Sequence, residues 1–303
     1  MDLYFYLEWF GKRPQKIEIL QTKPRTYTFH CKFQSSDRTI QVYGNFGEMS
    51  DYIYSSSPYK KNQYLMSHLQ KCVRRMETKK AVQTAKHLID LDIHSFLRRL
   101  PIIIVEDVKI HSSICVVIWL MIAVSKKYIL TNEQIKWLLG VVYSISENKD
   151  PVVNYQKIDG KLQWDMNTIS NELNTFLWAL RFRQNYGGMK GDMKMIEDYI
   201  YKLYHKEISM NTQKIPIINM DAIKPLLYKD WIYQANDFHC NKSIIQQIIS
   251  FVPEITSNDC KKLIWIHSSS ENKRDPIKEL PHKEEWNKIK AIVKRIQKRC
   301  IFY

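Results

Sequence analysis

The chain has 303 residues, of which 45% are hydrophobic and 25% are charged, which is the balance of a globular protein and not of a disordered one. Its eight glycines and ten prolines exclude collagen-like and linker-rich architectures, and they argue against glycine-rich phosphate loops. The six cysteines include no Cys-x-x-Cys pair, so neither a zinc site nor a disulfide framework is expected. We therefore expect no metal and no other cofactor.

The positive charge, +15 in total, is concentrated in two stretches of the chain. Residues 60–99 hold ten Lys and Arg against three Asp and Glu, and residues 261–303 hold twelve against five. Concentrated positive charge favours a polyanionic partner such as nucleic acid, because each neutralised phosphate releases counterions. A solvated basic surface that only keeps the protein soluble is the alternative for either stretch.

Residues 1–58 are the only part of the chain with the alternation that is typical of β-strands. Residues 25–33 alternate, and their apolar face consists of Tyr27, Phe29, Cys31 and Phe33. Residues 38–43 follow as the second strand of a predicted hairpin, and the serines and proline of residues 55–58 mark a boundary. The sequence therefore predicts a small N-terminal β-hairpin module over residues 1–58.

From residue 60 the apolar residues recur with the period of a helix. Thr78, Asp92 and Thr131 are in position to cap three of the predicted helices, and Pro101 should end or kink the helix that Asp92 begins. The apolar run 110–124 is too short to cross a membrane and indicates a buried helix. We assign residues 59–148 to a helical domain.

Residues 149–303 are predicted to form a helical C-terminal region. A helix over 167–185 is followed by a glycine-rich interruption and by a helix capped by Asp192. The last helix, 284–299, places basic residues on both sides of an apolar stripe that starts at Trp286. The sequence thus ends in a basic amphipathic helix.

One stretch of the helical part resembles a known family. It comprises residues 69–75 (LQKCVRR), Ala81, Ala85, 96–100 (FLRRL) and 103–108 (IIVEDV). This pattern is similar to the C-terminal helical region of the MgsA/RarA/WRNIP1 family, AAA+ ATPases related to clamp loaders. In that family the region is an all-helical collar that drives oligomerisation, usually to tetramers, and helps to engage DNA ends or forks.

The resemblance implies a clamp-loader-collar-like helical core over about residues 60–148, a homo-oligomer, and replication or transcription proteins as further partners. It does not extend to the ATPase activity of the family, because the chain contains no Gly-x-x-x-x-Gly-Lys-Ser/Thr motif. The high content of Lys, Ile, Asn and Tyr is typical of an A·T-rich genome, such as that of a large DNA virus.

Arginine and lysine side chains in these stretches are the candidates for binding phosphates, which arginine clamps with two parallel hydrogen bonds. The candidate nucleic-acid-binding residues are Lys71, Arg74, Arg75, Arg98, Arg99, Arg181, Arg183, Lys190, Lys273, Arg274, Lys288, Lys294, Arg295, Lys298 and Arg299. Alternatives are open for each group: an internal salt-bridge network with Glu106 and Asp107, a tight helix connection at residues 187–191, and an ordinary exposed loop or helix at the C-terminal end.

These observations predict a mainly α protein that acts as a non-catalytic DNA-associated factor in replication, repair or transcription. One alternative is a structural or scaffold protein, for example in a virion, that contacts acidic partners or the genome. Another is a metal-dependent nuclease that uses Glu106 and Asp107. Without a long apolar stretch or a secretory signal, an intracellular location is expected, and nucleus, cytoplasm and virion are not distinguished.

Overall fold

The computed structural model describes residues 3–35, 39–150, 169–231, 242–274 and 282–302. Within these residues the protein is mainly α-helical, and a four-stranded sheet lies at its N-terminal end. The prediction of a mainly α protein with a small β-containing N-terminus is confirmed at this level.

The sheet consists of two hairpins placed side by side. β1 (Leu3–Phe10) pairs with β2 (Arg13–Leu20), β3 (Phe29–Gln34) pairs with β4 (Thr39–Phe46), and the strand order is β2-β1-β4-β3 with β1 and β4 parallel. The sequence predicted only the second hairpin. The first hairpin also contains a turn-forming residue: Gly11 lies in the two-residue turn that joins its strands and adopts a φ of +64°.

The inner face of the sheet packs against the helices through aromatic side chains. Trp119 donates its indole N–H to the backbone oxygens of Phe5 and Tyr43, 3.1 Å away in both cases. Tyr27, which the alternation placed on the same face as Phe29, precedes β3 and contacts Tyr43, whose side chain lies on the opposite face. That part of the strand prediction is wrong, because Tyr27 lies in the loop before the strand begins.

Six helices form one hydrophobic core together with the sheet. They are α1 (Asn62–Arg74), α2 (Thr78–Asp107), α3 (Ile114–Ser125), α4 (Asn132–Glu147), α5 (Asn171–Asn185) and α6 (Lys190–Tyr204). The predicted boundaries near residues 58 and 148 therefore lie between elements that share one core.

Two of the predicted caps are confirmed by their hydrogen bonds. Asp92 leaves helical geometry with a φ of −161°, and its carboxylate accepts from the backbone N–H of Ser95 at 3.0 Å. Thr131 and Gln134 form a reciprocal capping box at the start of α4. The caps predicted at Thr78 and Asp192 are wrong, because both residues lie inside their helices: Glu77 is the N-cap of α2, and Met189 is the N-cap of α6.

Pro101 lies inside α2 and does not end it. Proline removes one backbone hydrogen bond from a helix, so a helix with an exposed proline normally kinks or stops. Here Pro101 and the four residues that follow it are all buried, and packing on every side holds the helical path to Asp107. Tertiary contacts thus outweigh the local preference.

Three C-terminal helices form a second, smaller hydrophobic cluster. They are α7 (Lys242–Phe251), α8 (Ser257–Ile264) and α9 (Lys283–Phe302). The apolar stripe predicted for the last helix is confirmed, since Trp286, Ile289, Val293 and Ile296 are buried in this cluster. The stripe faces α7 and α8, so the basic residues of α9 face outwards.

Candidate nucleic-acid interface

The cations of α1 lie inside the protein. Lys71, Arg74 and Arg75 are each 6% exposed or less. Arg74 donates from one terminal nitrogen to Glu106 at 2.6 Å and from Nε to Asp107, and Arg75 donates to the backbone oxygen of Ser268 at 2.6 Å. The guanidinium groups of Arg74 and Arg75 therefore already have acceptors within the protein, and in this fold these three side chains do not form an outer basic surface.

Glu106 and Asp107 belong to the same buried network. The side-chain amide of Gln70 donates to Glu106 at 2.7 Å and to Asp107 at 2.8 Å. Burial raises the pKa of Asp107 to about 6, against the opposing effect of the positive charge on Arg74. The guanidinium of Arg74 bridges the two carboxylates at the place where a divalent cation would have to bind. This arrangement matches the alternative of an internal salt-bridge network and does not match a nuclease site.

The arginines of α2 and α5 meet near the glycine-rich connection that precedes α6. Arg98 is exposed and its guanidinium carbon lies 5.6 Å from the centroid of the Tyr186 ring, whereas Arg99 contacts Gln70 and lies 3.8 Å from Asp192. The positive φ of Gly187 and Gly188, +90° and +157°, is that of a tight connection, the second alternative named for this segment.

The other cations of this region differ in exposure. Arg183 is buried and donates to the backbone oxygens of Gly187 at 2.9 Å and Arg98 at 3.0 Å, and burial lowers its pKa to about 10. Arg181 is paired with Glu197 at 2.6 Å. Lys190 is exposed at the first residue of α6, so within this group only Arg98 and Lys190 present charge to solvent.

The loop after α8 fastens the C-terminal helices to the first core. Arg274 donates to the backbone oxygens of Val73 at 2.8 Å, Ile145 at 2.7 Å and Asn148 at 2.7 Å, which lie at the C-terminal ends of α1 and α4. A cation at these ends is favourable, because the last carbonyl groups of a helix carry partial negative charge. Arg274 is thus a structural clamp, and its neighbour Lys273 is exposed.

The outer face of α9 is strongly basic. Beyond Glu285 it exposes five cations, which we call the α9 basic face: Lys288, Lys290, Lys294, Arg295 and Arg299. Residues 286–303 contain no Asp or Glu, and no carboxylate in the described part of the chain lies within ion-pair distance of the five cations. The side chain of Lys298, predicted as part of the same face, lies outside the described set.

An exposed aromatic ring adjoins the α9 basic face. Phe251, the last residue of α7, is 58% exposed, and the guanidinium carbon of Arg295 lies 4.7 Å from its ring centroid. Contact with an aromatic ring holds a guanidinium in place without neutralising its charge. The sequence prediction missed Phe251, because its exposure follows from the way α7 packs on α9.

A cleft of about 550 Å³ lies between β2, the starts of α3 and α5, and residues 212–215. Its imidazole, His111, accepts from the backbone N–H of Ser113 at 3.1 Å and meets the backbone oxygen of Gln213 at 2.9 Å. Burial raises the pKa of the neighbouring Cys115 thiol far above its ordinary value. Both ring nitrogens of His111 are therefore occupied by structural contacts, and the Cys115 thiol is not activated as a nucleophile.

Comparisons of the chain with protein-family models, curated proteins and solved structures found no match. The similarity of residues 60–148 to a clamp-loader collar accordingly remains a prediction. None of the helices in the described ranges has the length and apolar character that a membrane span requires.

Proposed function

We propose that the protein is a non-catalytic nucleic-acid-binding factor, with DNA as the favoured partner, and that it binds phosphates through the α9 basic face. The observation that carries the proposal is the exposure of five cations on the part of α9 beyond Glu285, which contains no acidic residue. The candidate residues Arg98, Lys190 and Lys273 are exposed as well and remain secondary candidates.

The spacing of these cations suits a phosphate backbone. Lys290 and Lys294 are one helical turn apart, and so are Arg295 and Arg299, which places the paired side chains about 5–6 Å from each other. With 3.6 residues per turn the five cations form two rows, one of Lys288, Arg295 and Arg299 and the other of Lys290 and Lys294, and at a rise of 1.5 Å per residue the first row is about 16 Å long. Phosphates follow each other about every 3.4 Å along the axis of one DNA strand, so the face is long enough for several of them.

A matched pair of variants tests this proposal. In the α9 variant, Lys288, Lys294 and Arg299 are replaced by Gln, and in the control variant Lys126, Lys127 and Lys206, which are exposed elsewhere, are replaced by Gln. Binding to a fluorescein-labelled DNA duplex is measured by anisotropy between about 50 and 200 mM salt.

The wild-type affinity should fall steeply with salt, and each lost phosphate contact should reduce the slope of log affinity against log salt by about 0.9. The α9 variant should therefore have a slope smaller by about 2.7, and the control variant a slope close to that of the wild type. Equal affinities and slopes in all three proteins, or wild-type binding that does not respond to salt, would contradict the proposal.

The scaffold alternative uses the same surface, because exposed Phe251 beside Arg295 also suits an acidic protein partner. It predicts that the α9 variant loses assembly with that partner while its DNA affinity equals that of the control variant.

The collar resemblance adds a separate proposal, a homo-oligomer held through the helices between residues 60 and 148. A monomeric mass in light scattering would rule out that oligomer.

A further inference from the structure

Four aromatic side chains cluster on the outer face of the N-terminal sheet, opposite the face that packs on the helices. Tyr43 is at the centre: the ring of His30 stacks on it at 4.4 Å, Tyr27 meets it edge-on at 4.7 Å, and Tyr4 lies 5.9 Å away. We call these four residues the aromatic platform. Its outermost rings, Tyr27 and His30, are exposed, so the platform presents aromatic surface to solvent.

Exposed cations adjoin the platform at Tyr27 and His30, whereas the carboxylates of Glu8 and Glu18 lie on the β1–β2 side of the same face, next to Tyr6, where Glu18 is paired with Lys16. Lys23, Arg25 and Lys32 are all exposed, and residues 19–35 and 39–47 contain no Asp or Glu. The ammonium group of Lys23 lies 5.2 Å from the centroid of the Tyr27 ring. Cross-strand aromatic pairs also stabilise a sheet, but that role does not require exposed cations in the same segments as Tyr27 and His30.

We propose that the aromatic platform binds single-stranded nucleic acid. This inference deepens the proposed function, on which it rests for the class of ligand, but it uses residues on a different part of the protein. The bases of a duplex are paired and stacked on each other, whereas those of a single strand can stack on exposed rings. A bound strand would stack bases on Tyr27 and His30 and pair its phosphates with Lys23, Arg25 and Lys32.

The position of Lys23 suits the binding of a strand at the platform. In the free protein its ammonium group donates to the Tyr27 hydroxyl and lies 5.2 Å from the Tyr27 ring centroid and 6.0 Å from the Tyr43 ring centroid, so a cation stands at the edge of the rings. On binding, the Lys23 side chain turns from the Tyr27 hydroxyl to a phosphate, and the neighbouring base stacks on the exposed ring. The platform therefore selects a strand that offers both an unstacked base and an adjacent negative charge.

The test compares a platform variant, Tyr27→Ala with His30→Ala, with a control variant, Tyr54→Ala. Tyr27 and Tyr54 are both 41% exposed, so each substitution removes an exposed tyrosine ring of equal accessibility. The probes are a fluorescein-labelled oligothymidylate and a labelled duplex, and affinities are measured by anisotropy on the full chain. The platform variant should bind oligothymidylate about tenfold or more weakly, with the control variant and duplex binding unchanged.

The outcomes separate this inference from the proposed function. Unchanged oligothymidylate affinity in the platform variant overturns the platform, and the α9 basic face is then judged by its own variants. Lost oligothymidylate binding with an α9 variant that still binds duplex normally supports the platform and contradicts the α9 proposal. Failure of the wild type to bind either probe overturns both. A second variant, Lys23→Glu with Lys32→Glu, retains the rings and should also lose oligothymidylate affinity. It tests the platform even if the first variant does not fold.

Discussion

Replacing Arg274 by Ala should destabilise the protein without acting directly on nucleic-acid binding. The side chain is 6% exposed and donates three hydrogen bonds of 2.7–2.8 Å to backbone oxygens at the ends of α1 and α4. Each such bond contributes about 1 to 1.5 kcal/mol, and its loss leaves a carbonyl group without that partner. We expect Arg274→Ala to lower the free energy of unfolding by about 3 to 5 kcal/mol.

Urea unfolding followed by circular dichroism measures this loss, and Lys273→Ala is the matched control. Lys273 is the adjacent cation, but it is exposed, so its replacement should change stability by about 0.5 kcal/mol or less. Arg274→Lys should recover little of the stability, because one ammonium group cannot reach three separated carbonyl groups in the way a guanidinium does.

The competing view of Arg274 as a phosphate ligand predicts a different pattern. An Arg274→Ala variant that unfolds at the same urea concentration as Lys273→Ala, but that has lost DNA affinity, would refute the structural clamp. If instead stability falls and the DNA affinity of the folded fraction is unchanged, the clamp explains the residue fully.

The remaining predictions concern three buried positions. Burial lowers the pKa of His68 to about 3, so below about pH 6.5 the unfolded chain takes up a proton that the folded chain does not. The free energy of unfolding should therefore fall by about 1.4 kcal/mol for each pH unit below that value. His68→Gln should flatten that dependence in urea unfolding at pH 7 and 5, and equal slopes would contradict it. A Cβ at Gly140 would lie 1.9 Å from the backbone oxygen of Pro216, so Gly140→Ala should lower the free energy of unfolding by at least about 1 to 3 kcal/mol. Thermal unfolding measures this loss, and an unchanged melting temperature would show that the backbone at Pro216 moves aside. Thr131→Ala should cost about 1 kcal/mol by removing the cap of α4, and Thr131→Ser should restore most of it.

The helical elements could be predicted from the sequence because their signals are local. The caps at Asp92 and Thr131 depend on residues three positions away, and the stripe of α9 repeats with the helical period. The same holds for the exposure of the α9 cations, since an amphipathic helix that buries one side must turn the other to solvent.

The second hairpin was predicted and the first was missed for a physical reason. β1 lies in the centre of the sheet between β2 and β4, and its outer face carries Tyr4 and Tyr6 where an edge strand would carry clearly polar residues. Tyrosine has both apolar and polar character, so the run from Leu3 to Phe10 does not read as an alternation of hydrophobic and polar residues.

Tertiary structure decided which cations of the two basic stretches are buried and paired. Arg74 is neutralised by Asp107, 33 positions further along the chain, and Arg274 bonds to a backbone oxygen 201 positions before it. A count of charge along the sequence treats both arginines as surface charge, because it contains no information about such distant partners. The sequence alone therefore determined the helices and the basic outer side of α9, whereas folding decided which positive charges the protein uses to hold itself together and which it leaves for a ligand.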